Sequence, residues 1–288
     1  MDILCFGEVL WDTFEDGKKA GGATMNAAYH LAQQGANAGF ATRIGTDASG
    51  KELVQFLKDN KLHSELIQDS DKLPTCEVKV SLDENKQATY TIPKNVSWDN
   101  IKPKKQLTKF AKKADAIVFG SLVCRDKTSR NTLLDLLDET KGLKVFDVNL
   151  REPHYTLSTI ESLVAAANVV KMNEEEADLL LNRKKGILKE KMIEFRMKYH
   201  VNTICVTRGD KGAIVWHDYE FFEHPGYGVD VVDTVGAGDA FLATFTLGLI
   251  YKLPMQQILE RACKIGAFVA GQRGATPPYA KDIVNFVK

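Results

Sequence analysis

The stretch DTVGAGDAF, residues 233–241, carries more information about the fold than any other part of the chain. It follows a strand-like run at residues 229–232 and leads directly into an apolar helix. Small residues at a helix start let several backbone N–H groups converge on one anion, and the helix dipole favours negative charge there. The amides concerned would belong to Gly236, Ala237 and Gly238.

Asp239 falls in the first turn of that predicted helix, beside the anion site. A carboxylate in this position can accept the proton of an attacking hydroxyl group during phosphoryl transfer. A plainer interpretation also fits, in which Asp239 only caps the helix and the glycines only make a tight turn. The Gly-Ala-Gly motif alone would favour that interpretation, whereas the complete nine-residue string is far more specific and indicates a functional site.

Outside this stretch, short β-branched runs alternate with longer amphipathic segments. The predicted strands are residues 3–6, 39–44, 116–119, 144–148, 169–172 and 203–207. The predicted helices are residues 26–34, 50–60, 131–138, 159–166, 174–181, 189–199, 239–251 and 255–271. This alternation predicts an α/β fold, with a doubly wound and mostly parallel sheet flanked by helices.

Two segments interrupt the alternation. Residues 77–82 and 88–92 are strand-like and are joined by a polar turn at 83–86, while residues 9–14 have extended character. They predict a small β lid, contributed by about residues 9–19 and 75–95, although an edge hairpin without function fits the same pattern. Since no Ser/Pro-rich linker divides the chain, residues 1–288 are expected to form a single domain.

Composition argues against several classes of protein. Lys and Arg number 38 and Asp and Glu number 38, so the net charge is zero and the footprint of a nucleic-acid-binding protein is missing. A membrane-spanning helix needs roughly 18 apolar residues, and the best candidate, residues 240–250, is broken by Thr and Gly. The five cysteines are scattered, and the first residues lack a basic signal-peptide region, so we expect a cytoplasmic protein with reduced thiols.

The string DTVGAGDAF resembles the carboxy-terminal signature of the ribokinase (PfkB) family of sugar kinases. Further strings resemble other family motifs in the family's order: GGATMNA at 21–27, RIGTDASG at 43–50, DVNLR at 147–151, KMNEEE at 171–176 and TRGDKG at 207–212. The resemblance therefore covers essentially the whole chain and implies a ribokinase-like fold. The string GEVLWD at 7–12 is most similar to bacterial fructokinases, which usually have Pro-Ala where this chain has Thr24-Met25.

The resemblance also implies roles for individual residues on the sugar side. Asp239 would act as the base, the amides of residues 236–238 would neutralise the transferring phosphoryl group, and Arg151 would hold a phosphate. Asp12, Gly22 and Asn26 would contact the sugar. Without the resemblance, Asn26 would serve equally well as a helix N-cap. The N-terminus of the predicted helix at 239–251 is expected to lower the pKa of Asp239.

On the nucleotide side, the resemblance implies a Mg²⁺ supported by Asn173 and Glu176, largely through water. Nucleotide phosphates would lie along Thr207, Gly209 and Gly212, and the adenine would be closed in by the loop that includes Gly271 and Gly274. In many relatives a monovalent cation, such as K⁺, binds near the positions of Asp233 and Val235. The resemblance also allows a homodimer assembled through the β lid.

The sequence therefore predicts an ATP-dependent kinase that phosphorylates a primary hydroxyl, with fructose converted to fructose 6-phosphate. The alternatives are another sugar or nucleoside kinase of the family and a non-catalytic sugar-binding regulator. An NAD-dependent oxidoreductase is disfavoured because no G-x-G-x-x-G follows the first strand. A P-loop is also disfavoured, because residues 45–51 are followed by Glu52 where Ser or Thr must bind Mg²⁺.

Overall fold

The computed structural model describes residues 1–15, 17–62, 64–82, 88–182, 186–280 and 283. These residues form thirteen strands and nine α-helices. The strands are β1 (Asp2–Phe6), β2 (Leu10–Phe14), β3 (Gly17–Gly21), β4 (Asn37–Gly45), β5 (Ile67–Ser70), β6 (Glu77–Leu82), β7 (Ala88–Thr91), β8 (Ala116–Gly120), β9 (Leu143–Asp147), β10 (Val169–Asn173), β11 (Thr203–Thr207), β12 (Ala213–His217) and β13 (Glu220–His224). The helices are α1 (Ala23–Gln33), α2 (Ala48–Asp59), α3 (Lys105–Lys113), α4 (Lys127–Glu139), α5 (Leu157–Ala166), α6 (Glu174–Leu180), α7 (Leu188–Tyr199), α8 (Ala237–Ile250) and α9 (Met255–Ala270).

Nine strands form one large sheet in the order β13-β12-β11-β10-β9-β8-β1-β4-β5. All neighbours from β5 to β11 are parallel, and β12 and β13 add an antiparallel edge. Both faces of the sheet are buried. On β1, Leu4 and Phe6 belong to one apolar cluster, while Ile3 and Cys5 belong to the cluster on the other face. The predicted doubly wound, mostly parallel sheet is therefore confirmed.

The strand order decides where a ligand can bind. From β1 the chain proceeds outward to β4 and β5, and then returns to continue on the other side with β8, β9, β10 and β11. In open α/β sheets, ligands bind beyond the carboxyl ends of the strands at the point where the order reverses. That point lies between β1 and β8, so the loops that follow these strands are the expected place for the site.

A second, smaller sheet has the order β3-β2-β6-β7 and is mostly antiparallel. The predicted segments 9–14, 77–82 and 88–92 are confirmed as strands β2, β6 and β7, while the predicted turn at 83–86 lies outside the described residues. Trp11 docks this sheet on the main body. Its ring packs edge-on against Phe56 of α2, and its Nε1 donates to the Ser49 carbonyl oxygen (3.0 Å).

Several elements differ from the sequence-based expectations. Strands β3, β5, β12 and β13 and helix α3 were not predicted. The β12–β13 connection uses Asp218 and Tyr219, both at positive φ (46° and 67°), which is the backbone of a tight two-residue hairpin turn without the usual glycine. The strand-like run at 229–232 does not form a strand. Val231 and Val232 are exposed there, and the Val232 amide donates to the Ala270 carbonyl instead of to a strand (2.9 Å).

Among the described residues, no helix combines the length and the apolar character required to cross a bilayer.

Candidate active site

The start of α8 lies near the carboxyl ends of the strands of the large sheet, since a Cβ atom on Gly238 would be 3.2 Å from Nζ of Lys171 on β10. Gly236, the residue before the helix, has a left-handed backbone (φ 82°) and provides no side-chain cap. It packs so closely on Ala275 that a Cβ atom at position 236 would lie 2.6 Å from the Ala275 Cα. The Ala237 amide already donates to the Thr234 carbonyl (3.3 Å). Of the three predicted anion-binding amides, those of Gly236 and Gly238 are therefore the stronger candidates.

Asp239 lies in the first turn of α8 and faces α1. The Asn26 Nδ2 atom donates a hydrogen bond of 2.8 Å to its Oδ2. The pKa of Asp239 is raised to about 7, mainly by burial and also by the nearby Asp147 carboxylate, against the opposing effects of Asn26, Lys171 and Arg151. The expectation that the helix start would lower this pKa is wrong, because desolvation and a like charge outweigh the helix dipole. The group can thus accept or release a proton near neutral pH.

Asn26 is not an N-cap, which corrects the alternative that sequence alone left open. Helix α1 begins at Ala23, its N-cap position is Gly22, and the Asn26 amide already donates to the Gly22 carbonyl (2.8 Å). The side chain is buried, and among the described residues its Oδ1 has no hydrogen-bond partner. A ligand hydroxyl could satisfy that oxygen while Nδ2 holds Asp239.

The two glycines before α1 have separate steric reasons. A Cβ atom on Gly21 would lie 2.5 Å from Oδ2 of Asp12, so Gly21 makes room for that carboxylate. Gly22 has a φ of 118°, and a Cβ atom there would lie 2.5 Å from the Glu8 carbonyl oxygen. Burial raises the pKa of Asp12 to about 6, against the opposing charges of Arg151 and Lys19. Asp12 is therefore a partly dehydrated carboxylate, suited to hydroxyl groups.

Residues 24 and 25, which depart from the fructokinase pattern, are buried. Met25 is fully buried in the apolar cluster that lies behind α1. The Thr24 hydroxyl donates to the Glu8 carbonyl oxygen (3.3 Å), and the Thr24 amide donates to the Glu8 carboxylate (3.4 Å). Burial raises the pKa of Glu8. The departure from the fructokinase pattern therefore falls on two buried side chains, one that bonds to Glu8 and one in the core.

Arg151 is exposed in the loop that follows β9, and its Nη1 donates to the carbonyl of the preceding Leu150 (3.1 Å). Its positive charge acts to lower the pKa of three carboxyls: Glu8, Asp12 and Asp239. The guanidinium therefore acts electrostatically on both the predicted sugar-binding carboxylate and the predicted base. An arginine between two anionic groups can hold a phosphate by charge-assisted hydrogen bonds.

Asn173 and Glu176 form a reciprocal cap at the start of α6. The Asn173 side chain accepts from the Glu176 amide (2.8 Å), and Glu176 Oε2 accepts from the Asn173 amide (2.8 Å). Glu176 Oε1 accepts from the Leu150 amide (2.8 Å), so the same carboxylate also holds the loop that carries Arg151. Burial is the main cause that raises the pKa of Glu176, and the charge of Lys171 opposes it.

Lys171 and Asp147, to which the sequence analysis assigned no role, form a buried ion pair beneath the start of α8. Lys171 on β10 is buried, and its Nζ contacts both carboxylate oxygens of Asp147 on β9 (3.0 and 3.3 Å). Burial acts against the charged form of Lys171, but Asp147, Glu176 and Asp239 together raise its pKa. A Cβ atom on Gly238 would lie 3.2 Å from Nζ, so the ammonium group lies directly beneath the start of α8. Both residues belong to strings already recognised, but only the pairing of β9 with β10 shows that they meet.

The predicted nucleotide residues lie on two loops. Thr207 ends β11, and Gly209 and Gly212 follow it with positive φ (59° and 73°). Gly271 caps the end of α9. Gly274 donates its amide to Asp233 Oδ2 (3.1 Å), and the amide of Val235 donates to Asp233 Oδ1 (3.0 Å). The Asp233 carboxylate therefore links the loop after α9 and the turn before α8 through hydrogen bonds to both.

Several known proteins resemble this chain in sequence and in fold. The sequence profile of the family described as pfkB family carbohydrate kinase matches residues 2–282. The chain is 27% identical to Probable fructokinase-5 from Arabidopsis thaliana, over 99% of this chain and 97% of that protein. It resembles the structure of an uncharacterized sugar kinase, PH1459, from Pyrococcus horikoshii (TM-score 0.84, 25% identity, 100% and 99% of the two chains). It also resembles a double mutant of the fructokinase from Vibrio cholerae in a fructose-, ADP- and potassium-bound form (TM-score 0.84, 22% identity, 100% and 98% of the chains).

Proposed function

This chain belongs to the pfkB family of carbohydrate kinases, and from that premise we propose that it uses ATP to phosphorylate the primary 6-hydroxyl of fructose, giving fructose 6-phosphate. The observation that carries the proposal is the pair Asn26–Asp239, joined at 2.8 Å at the uncapped start of α8. It sets a carboxyl group with a pKa of about 7 beside amides suited to an anion. The named fructokinases among the relatives support fructose as the acceptor.

In the proposed reaction, the primary hydroxyl of the sugar binds at Asp239 and is deprotonated as it attacks the γ-phosphorus of ATP. The bond between the γ-phosphorus and the oxygen that bridges it to the β-phosphorus breaks, and ADP leaves. The proton stays on the Asp239 carboxyl until solvent removes it. The amides of Gly236 and Gly238 and the guanidinium of Arg151 would neutralise the charge of the transferring group. Because such transition states are loose, positioning and electrostatic stabilisation supply most of the acceleration.

The donor set fits a Mg²⁺ that keeps most of its water. Among the described residues, no cluster of three or more His, Cys, Asp or Glu side chains could hold a metal, whereas Glu176 is a single carboxylate in which each oxygen accepts one amide and keeps a lone pair. Mg²⁺ commonly binds through one or two carboxylates, waters and nucleotide phosphates. When bound, it would supply charge that neutralises the phosphate oxygens, with Glu176 and Asn173 holding its water.

Four further parts of the proposal rest on the family and on the placement of the residues. The small sheet, which carries Asp12, would close over the sugar and limit hydrolysis of ATP by water. It would also provide the surface for a homodimer. A monovalent cation would bind at Asp233 and the Val235 backbone, where the carboxylate already organises two amides. Thr207, Gly209, Gly212, Gly271 and Gly274 would line the nucleotide.

A coupled assay of ADP release over a panel of hexoses, ribose and nucleosides tests the function. We expect fructose to have the highest kcat/KM. Efficient phosphorylation of ribose or adenosine with little activity on fructose would overturn the choice of sugar and leave the kinase reaction standing. Sugar binding without ADP release, for every acceptor, would instead identify a non-catalytic sugar-binding regulator.

The Arg151→Ala variant is expected to lower kcat by about 10-fold or more, because a charge-assisted contact to the transferring phosphate is lost. Sugar affinity measured without nucleotide should remain nearly unchanged. Steady-state kinetics and calorimetry with the sugar alone separate the two effects. Arg151→Lys is the matched control, since it keeps the charge and loses the planar fork of donors. Collapse of sugar binding in Arg151→Ala would place Arg151 in the sugar pocket.

The Asp12→Ala variant is expected to weaken fructose binding by about 1–3 kcal/mol, because buried hydroxyl groups of the sugar would lose their acceptor. Calorimetric titration with fructose measures the change. Thr13→Ala is the control, because neighbouring residues of a strand point to opposite faces of the sheet. Equal fructose affinity in the Asp12 variant and the wild type would remove Asp12 from the site.

A further inference from the structure

His30 has no part in the reaction described above, yet it is fully buried between α1 and the segment that follows α9. It lies on α1, one helical turn after Asn26, and its exposed fraction is 0%. Both ring nitrogens have partners. The distance from Nε2 to the Ala275 carbonyl oxygen is 2.9 Å, and the distance from Nδ1 to the Tyr279 hydroxyl is 3.0 Å.

These two partners determine the tautomer of His30. A carbonyl oxygen can only accept a hydrogen bond, so Nε2 carries the proton and donates it to Ala275. Nδ1 is then an acceptor, and the Tyr279 hydroxyl donates to it. Burial lowers the pKa of His30 to about 4, against the effect of the Ala275 carbonyl, so the ring is neutral at physiological pH. The ring therefore acts as a fixed donor toward Ala275.

Ala275 in turn supports the turn before α8. An added Cβ atom on Gly236 would lie 2.6 Å from both the Cα and the carbonyl oxygen of Ala275, so the two backbones are in direct contact. The carbonyl that supports Gly236 is the one that His30 holds. The preceding residue, Gly274, is held from the other side by Asp233 (3.1 Å). Asp233 thus holds Gly274 and His30 holds Ala275, so both residues are kept in place against the left-handed backbone of Gly236.

We propose that His30 is a positioning residue for phosphoryl transfer, which holds the Ala275 carbonyl against Gly236 and so maintains the anion-binding turn at the start of α8. Helix α1 would then fix this turn at two points, through Asn26 on Asp239 and through His30 on Ala275. The proposal rests on the proposed function and extends it, because it couples the helix that begins the sugar site to the loop on the nucleotide side.

The physical reason is the sensitivity of phosphoryl transfer to geometry. Loss of the His30 donor would leave a buried carbonyl unsatisfied, and the loop at residues 274–275 would shift to find a partner. A displacement of about 1 Å at the reacting groups can lower a rate by about 100-fold, even when the substituted residue does not touch the substrate.

The test compares His30→Phe, which fills the space without a donor, with His30→Gln, whose side-chain amide can donate to Ala275. We expect His30→Phe to lower kcat with the best acceptor by about 10- to 100-fold, with the KM for that sugar changed by less than about 3-fold. His30→Gln should recover most of the rate. Calorimetry should show that His30→Phe weakens binding of a non-hydrolysable ATP analogue more than binding of ADP, because only the analogue places a phosphoryl group on the turn.

Two controls distinguish positioning from general destabilisation. His217→Phe removes a half-buried histidine that hydrogen-bonds to Thr203 (2.8 Å) at the amino-terminal end of β11, away from the site, and it should leave kcat unchanged. Tyr279→Phe keeps the ring contacts with His30 and Phe268 and removes only the hydroxyl that orients the His30 ring. It should therefore lower kcat, but by less than His30→Phe does. It also serves if His30→Phe does not fold.

The outcomes separate this proposal from the proposed function. Nitrogen NMR of the unliganded wild type should show the His30 tautomer protonated on Nε2, whatever the substrate is. Wild-type protein that phosphorylates no acceptor would contradict the proposed function, and the ratio of analogue to ADP affinity would still decide the role of His30. An unchanged ratio in both His30→Phe and Tyr279→Phe, or an unchanged kcat per folded molecule, would overturn the positioning role.

Discussion

Replacement of Asp239 by Asn is expected to lower kcat by about 100-fold or more, while the fold and the affinity for nucleotide are retained. The reason is that general-base catalysis contributes roughly 10²–10⁴-fold, and an amide cannot take the proton of the sugar hydroxyl. The amide can still accept the hydrogen bond from Asn26, so the geometry of the turn is preserved. Steady-state kinetics with fructose and calorimetry with ADP measure the two quantities.

The same variant tests the pKa of Asp239 by two pH profiles. In the wild type, kcat should rise as the pH passes through about 7, because the base works only when ionised. The stability profile has the opposite sign. Since the pKa is raised in the folded protein, the unfolded chain ionises first, and stability falls as pH rises from about 4 to about 7. Asp239→Asn should therefore have a higher Tm than the wild type at pH 8, with a smaller difference at pH 5.

Asp230→Asn is the matched control, since Asp230 is exposed on the segment that leads to the same turn. It should change neither the kcat profile nor the pH dependence of Tm. Wild-type turnover in Asp239→Asn would end the assignment of Asp239 as the base. A kcat that does not change between pH 6 and pH 8 in the wild type would contradict the raised pKa.

Replacement of Gly236 by Ala should abolish most activity and also destabilise the protein. The left-handed backbone at φ 82° costs an alanine about 1–2 kcal/mol. The added Cβ would meet backbone atoms of Ala275 at 2.6 Å, and such overpacking costs about 1–3 kcal/mol more. We expect a combined loss of about 2–5 kcal/mol in the free energy of unfolding, measured by urea denaturation, and a kcat reduced by about 100-fold or more through displacement of the turn.

Gly35→Ala separates the two causes. Gly35 also has a positive φ (88°), but a Cβ atom there meets nothing within 4 Å, and the residue lies away from the site between α1 and β4. Gly35→Ala should lower the free energy of unfolding by only the backbone cost, about 1–2 kcal/mol, and should leave kcat unchanged. If Gly236→Ala behaves like Gly35→Ala in both stability and kcat, the contact with Ala275 has no role in the function.

The strands of the two sheets differ in how well the local sequence predicts them. The alternation of strands and helices and the string DTVGAGDAF were sufficient for the fold class, because parallel strands buried on both faces are almost continuous apolar runs. Strand β3, Gly17–Gly21, was not predicted because its exposed sequence GKKAG has no apolar alternation. It forms by pairing with β2, so its stability comes from a neighbour that local sequence does not show.

The amino-acid sequence by itself determined the sheet class, the kinase family motifs and the identity of the residues in them, because each depends on neighbours within a few positions along the chain. Only the tertiary structure decided that Lys171 meets Asp147, that Asn26 binds Asp239 from 213 positions away, and that His30 reaches Ala275. It also decided the sign of the Asp239 pKa shift. The helix start alone would lower that pKa, but burial and the charge of Asp147 raise it, and both arise from packing between elements distant in sequence.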